Sequence, residues 1–169
     1  MGDNYFLKRY PPESHSWAGK VTFCFSYPAN GWIQLAVTCD PYLQGVFVFC
    51  TYIADPFPGF KRWLEAIVAD QLPAECAVDE EGKGKTFRAR PVNNQEFIFE
   101  ILEYLWGKPD HKDRPVYLYV QVNKTQFLSE FMKRWDDFIE NYYDPVHWEE
   151  YGTDLRKLDL SKIRAFLGE

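Results

Sequence analysis

A histidine beside carboxylates is the arrangement in this chain best suited to moving a proton, and it occurs twice. His111 stands between Asp110 and Asp113, and His147 lies in the run Tyr143-Asp144-Pro145-Val146-His147-Trp148-Glu149-Glu150. The third histidine, His15, belongs to a Ser- and Pro-rich N-terminal stretch. An imidazole held by a carboxylate can act as a general base or a metal ligand. Hydrolysis also requires a nucleophile, and a bound metal requires further ligands. Neither run supplies them, and no HExxH, HxH or GxSxG motif occurs. His111 therefore reads as a solvated loop residue. An enzyme built on His147 with Glu149 or Glu150 remains one reading, and it requires the imidazole to face a cleft shared with one of them.

Other charged pairs point to structure rather than chemistry. Glu80-Glu81, Asp136-Asp137 and Glu149-Glu150 read as exposed faces, because paired-carboxylate catalysis needs two acids facing across a cleft. Glu100 differs, since it interrupts the apolar run Phe97–Leu102. If 85–91 and 97–103 pair around Asn93-Asn94, Glu100 comes to lie beside Arg88, and a cross-strand ion pair is the expected result. Lys83, Lys85, Arg88 and Arg90 form a short cationic stripe, offset by Asp79, Glu80 and Glu81 across the same turn. No Gly-rich loop leads into a helix to cradle phosphate. Asn123-Lys124-Thr125 matches the glycosylation sequon, a weak three-residue signal.

Four cysteines at 24, 39, 50 and 76 lack the close C-x₂-C spacing of zinc or redox sites. Buried free thiols are expected, with a Cys24–Cys50 bridge between neighbouring strands as the sharper alternative. No metal and no cofactor is called for.

Aromatic residues dominate the remainder: 14 Phe, 11 Tyr and 6 Trp among 169 residues. Such side chains bury a large apolar area each, enough for a core without metal or disulfide. Trp32, Trp63, Trp106 and Trp135 fall on strand or helix patterns and read as core. Tyr142, Tyr143, His147, Trp148, Glu149, Glu150 and Tyr151 instead crowd a segment with weak periodicity and several charges. Tyr and Trp tolerate half-wet positions and are enriched where partners dock, which marks 142–151 as the candidate recognition patch. A loop folded back over the sheet is its competing reading.

Period-2 alternation predicts strands over 20–28, 32–39, 46–53, 75–79, 85–91, 97–106 and 116–122. The run 46–53 is apolar on both faces, as a central strand would be. Apolar spacings of three and four predict helices over 56–71, 125–142 and 160–167, the first opened by Asp55-Pro56 and the last capped by Asp159 or Ser161. The order is βββ-α-ββββ-α-α, and its short turns impose antiparallel pairing. The expected fold is α+β: about seven strands in a predominantly antiparallel twisted sheet, single or split into two, with amphipathic helices on one face. Residues 1–17 read as an irregular arm and 18–169 as one domain with a short C-terminal helix.

A net charge of −6 with a pI near 5.1 argues against sequence-independent binding to nucleic acid or anionic membrane. No stretch is long and apolar enough for a transmembrane helix and no secretory signal pattern opens the chain, so a soluble cytoplasmic protein is expected. The first functional expectation is a non-catalytic interaction module that engages a basic protein partner, an immunity- or antitoxin-like inhibitor being one concrete form. The alternatives are a domain holding a small apolar ligand in an aromatic-lined cavity reached near Trp106 or Trp148, and the enzyme centred on His147.

Overall fold

The computed structural model describes residues 19–40, 44–104, 114–148 and 153–169. The arm read over 1–17 lies outside them, as do Trp106 and His111. Seven strands and three helices follow the order the periodicities predict: β1 Lys20–Phe25, β2 Trp32–Asp40, β3 Gln44–Thr51, α1 Phe57–Val68, β4 Ala74–Asp79, β5 Gly84–Pro91, β6 Glu96–Tyr104, β7 Val116–Asn123, α2 Lys124–Asn141 and α3 Ser161–Leu167. The strands form two antiparallel sheets, β1-β2-β3 and β4-β5-β6-β7, each in sequence order. Among the described residues no helix is long and apolar enough to cross a membrane.

Local chemistry sets the element boundaries. Asn30 and Gly31 both have positive φ, 51° and 77°, as the tight turn between β1 and β2 requires. Asp55 caps α1 by accepting the Phe57 N–H at 2.9 Å, although Pro56 is the first residue to turn. Asn123 caps α2 by accepting the Gln126 N–H at 3.1 Å. Asp159 does the same for Ser161 at the start of α3.

One core lies between the inner faces of both sheets and helices α1 and α2. Helix α2 supplies Phe127, Phe131, Trp135 and Phe138 along one stripe. Phe131 meets Phe23 and Phe25 of the first sheet edge-on, while Phe127 reaches Phe97 and Phe99 of the second. Helix α1 brings Phe60 and Trp63 against Phe87. The sheets also meet directly, where the Gly19 N–H donates to the Gln121 carbonyl at 3.1 Å. A Cβ at Gly19 would lie 2.8 Å from Val120 Cγ2 and 2.9 Å from Cys39 Sγ, so only glycine permits this approach.

The expectation that 46–53 is a central strand is overturned. β3 is the edge of its sheet, with Val46, Val48 and Cys50 inside and Phe47 and Phe49 outside. Apolar residues on both faces of a strand show that neither face is decorated for water. They do not show that a second strand flanks it.

Candidate recognition surface

Three distant segments meet at the turn end of the first sheet. The Gly31 N–H donates to the His147 carbonyl at 2.9 Å, and the Gly31 carbonyl accepts the Tyr52 N–H at 3.0 Å. The Tyr52 ring occupies the space a side chain at residue 31 would need, with Cδ1 2.0 Å from the position of its Cβ. Gly31 thus serves both the left-handed turn and the close packing.

Asp144 organises the surface beside this junction. Its Oδ1 accepts the Val146 N–H at 3.0 Å, which opens the short 3₁₀ turn Pro145–His147. Its Oδ2 accepts the Tyr27 hydroxyl at 3.1 Å and lies 3.9 Å from His147 Nε2. The Tyr27 and His147 rings stand 5.7 Å apart. Lost hydration at the hydroxyl, followed by the hydrogen bond and charge of Asp144, holds the Tyr27 phenol above its ordinary pKa.

The residues singled out by sequence divide here. Val146 is 83 % exposed at the tip of the turn, and Tyr142 is half exposed at the end of α2. His147 is exposed as well. Tyr143 turns inward: its ring meets Phe138 edge-on at 5.8 Å, and its hydroxyl accepts the Leu155 N–H at 3.2 Å. Trp148 is 1 % exposed and packs its ring against Phe57 at 5.5 Å. Its indole N–H is the buried side-chain polar atom that lacks a hydrogen-bond partner among the described residues. Trp148 is therefore core, not contact surface. Glu149, Glu150 and Tyr151 lie outside the described residues. Tyr27, which sequence reading treated as strand, completes the surface; its hydrogen bond to Asp144 spans 117 positions and leaves no local signature.

His147 lines neither of two open clefts described below, and among the described residues no hydroxyl or thiol hydrogen-bonds its imidazole. No group of three or more His, Cys, Asp or Glu is placed to hold a metal among the described residues. One cleft of about 400 Å³ opens between Gly19–Val21 and the start of α2. A second, of about 320 Å³, lies between α2 and the C-terminal segment, with Trp135 and Leu155 beside Asp136 and Arg164. Both have mixed polar and apolar walls, and neither is enclosed by the aromatic cluster.

The polar pair on the second sheet has its own geometry. Arg88 and Glu100 are direct register partners on β5 and β6, and Arg88 Nε donates to Glu100 Oε2 at 2.7 Å. Arg90 joins through Nε at 2.9 Å and Nη2 at 3.2 Å. Glu100 is buried beneath these guanidiniums. Lys85 belongs to the opposite face, where it binds the buried Glu80 carboxylate at 2.9 and 3.2 Å and stands over the Tyr117 ring. The cationic stripe read from the sequence is thus split by the period-2 alternation of β5.

All four cysteines are free. Cys24 points outward and Cys50 inward, so the bridge between them is excluded by the register that puts Cys24 opposite Ala36 and Ala36 opposite Phe47. Burial, with Asp40 nearby, pushes the Cys39 thiol up to about 11. Burial takes Cys76 to about 12 against the opposing pull of Arg62. Burial, then Cys76, Glu80 and Asp55, raises Cys50 well above the ordinary 9.0. Thiolates being the reactive form, a disulfide reagent at pH 8 is expected to modify Cys24 rapidly and the other three only on unfolding. A folded pKa above the unfolded one stabilises fully below about pH 9, and that stabilisation fades as pH rises through 11 to 12. Equilibrium unfolding should therefore show a loss of stability above about pH 9 that Cys76→Ala reduces. Four thiols of equal reactivity would refute the assignment.

Comparison of the chain with models of known protein families, with curated proteins and with solved structures finds no match.

Proposed function

We propose that this protein is a non-catalytic interaction module that binds a protein partner through the surface formed by Tyr27, Tyr142, Val146 and His147 around Asp144. The observation that carries this reading is Val146, an aliphatic side chain 83 % exposed on a turn held in place by Asp144 and by the Gly31–His147 hydrogen bond. A fixed apolar tip flanked by half-exposed tyrosines loses little conformational entropy when it docks. The net charge of −6 suits a basic partner, whose association would be faster at low salt. An immunity-like inhibitor of a basic toxin is one form of this reading. Soluble cytoplasmic residence without nucleic-acid binding belongs to the same proposal.

The test is retention of partners from the native cell extract by the immobilised full chain, quantified by mass spectrometry at low and high salt. A specific partner should be lost on raising salt and should fall about tenfold with Tyr27→Ala/Val146→Asp, the size expected when a contact anchor is removed. An identical retained set for the variant would remove the surface from consideration. A small molecule carried through native mass spectrometry of the purified chain would favour the ligand-binding alternative.

A further inference from the structure

The two sheets of this molecule present different outer faces to solvent. On the second sheet one register row reads Glu75, Arg88, Glu100 and Tyr119, a polar surface suited to water. On the first, the rows Cys24–Ala36–Phe47 and Gln34–Phe49 carry no ionisable group except the Cys24 thiol, and Thr38 extends the same face. Phe47 is 59 % exposed and Phe49 42 %. Charged side chains stand at its ends, Lys20 opposite Asp40 on one side and Glu81, which accepts the Thr51 hydroxyl, on the other, and Arg134 of α2 lies near Cys24 at the β1 border.

We infer that the outer face of the first sheet is a second docking surface, separate from the Val146 surface, and that its occupant is an amphipathic helix of a partner protein with Lys or Arg flanking its apolar stripe. An added strand does not fit. With β2 on one side of β3, a strand would have to pair with the other side, and there the Phe49 N–H already donates to Glu80 Oε1 at 3.0 Å. Glu80 is itself buried, so releasing that N–H would take one hydrogen-bond donor from a buried carboxylate. A helix needs no edge hydrogen bond. Its diameter of about 10 Å matches the roughly 10 Å between the outermost of three strands spaced ~4.8 Å apart. Charge selects the flanks: the chain carries −6, and exposed Glu81 stands at one end of the face, while Lys20 and Asp40 balance each other at the other. The same charge opposes a second copy of the chain as occupant.

The test uses three labelled synthetic peptides of about 18 residues, long enough for helix formation when bound. One is a Leu/Lys sequence with helical periodicity, one has the same composition with strict alternation, and one is the helical sequence with Glu for Lys. Anisotropy with the full chain should show the helical Leu/Lys peptide binding about tenfold more tightly than either control. Amide shifts in the wild type should cluster at Thr22, Ala36, Thr38 and Phe47. Phe47→Ser/Phe49→Ser should weaken binding about tenfold, while Tyr27→Ala/Val146→Asp leaves it unchanged, which separates this surface from the first. Shifts centred elsewhere, or equal binding of the alternating peptide, would overturn the inference. So would concentration-dependent dimerisation that the Phe47/Phe49 variant abolishes, which assigns the face to a second copy. Shifts in residues 1–18 of the unliganded variant would assign it instead to the chain's own N-terminal segment.

Discussion

Phe127→Ala is expected to destabilise the protein by about 3–5 kcal/mol, the cost of emptying a large aromatic site in a packed core. This ring joins both sheets to helix α1. Phe127 stands 5.3 Å from Phe23 of the first sheet, 5.1 and 5.0 Å from Phe97 and Phe99 of the second, and 5.9 Å from Trp63 of α1. Its loss removes ring contacts with both sheets at once, and neighbours rooted in three elements cannot collapse together to fill the space. Against a typical total of roughly 5–15 kcal/mol, the variant should approach the limit of folding at 37 °C. Urea unfolding followed by tryptophan fluorescence measures the change, and Phe127→Leu should recover more than half of it. A loss below about 1 kcal/mol would mean that the sheets hold together without this ring.

Glu100→Gln should produce the second large effect, near the lower end of the roughly 3–5 kcal/mol seen when one partner of a buried ion pair is removed. The carboxylate side chain is 4 % exposed, whereas Arg88 and Arg90 are 26 % and 40 % exposed, so water relieves part of the repulsion left between them. The Glu100 hydrogen bond is also the main cause of the raised Arg90 pKa, which marks the carboxylate as the element that fixes this guanidinium. Replacing Arg88, Arg90 and Glu100 together by apolar residues of similar size should restore most of the stability, because no charge is then left without its partner. If Glu100→Gln and the triple variant are equally unstable, packing rather than charge governs the site. Chemical denaturation of all the variants distinguishes these outcomes.

Local rules were sufficient wherever a neighbour in sequence is also a neighbour in space. The Arg88–Glu100 pairing could be read because only a short turn at Asn93-Asn94 separates two strands whose register then follows. The stripe Phe127, Phe131, Trp135 and Phe138 identifies the buried side of α2 through its 3.6-residue repeat. Capping residues Asp55 and Asn123 mark their positions for the same reason, each bonding backbone two or three residues away, and Asn30-Gly31 does so through its own positive φ angles.

Trp148 failed that reading. Charged neighbours in sequence place it on the surface, yet Phe57, distant along the chain, encloses it. β3 failed it in the opposite sense, its apolar residues suggesting a strand flanked on both sides where the fold leaves an edge. The sequence alone determined the identity and order of the elements, the antiparallel pairing, and the inward face of each helix, since side-chain period and turn chemistry are local properties of a chain. Only the tertiary structure decided that the strands split into two sheets, that Tyr27 joins Asp144, and that Phe47 and Phe49 stay uncovered. Those outcomes depend on which surfaces meet across long stretches of chain, and burial is a property of both partners in a contact rather than of either residue's own sequence.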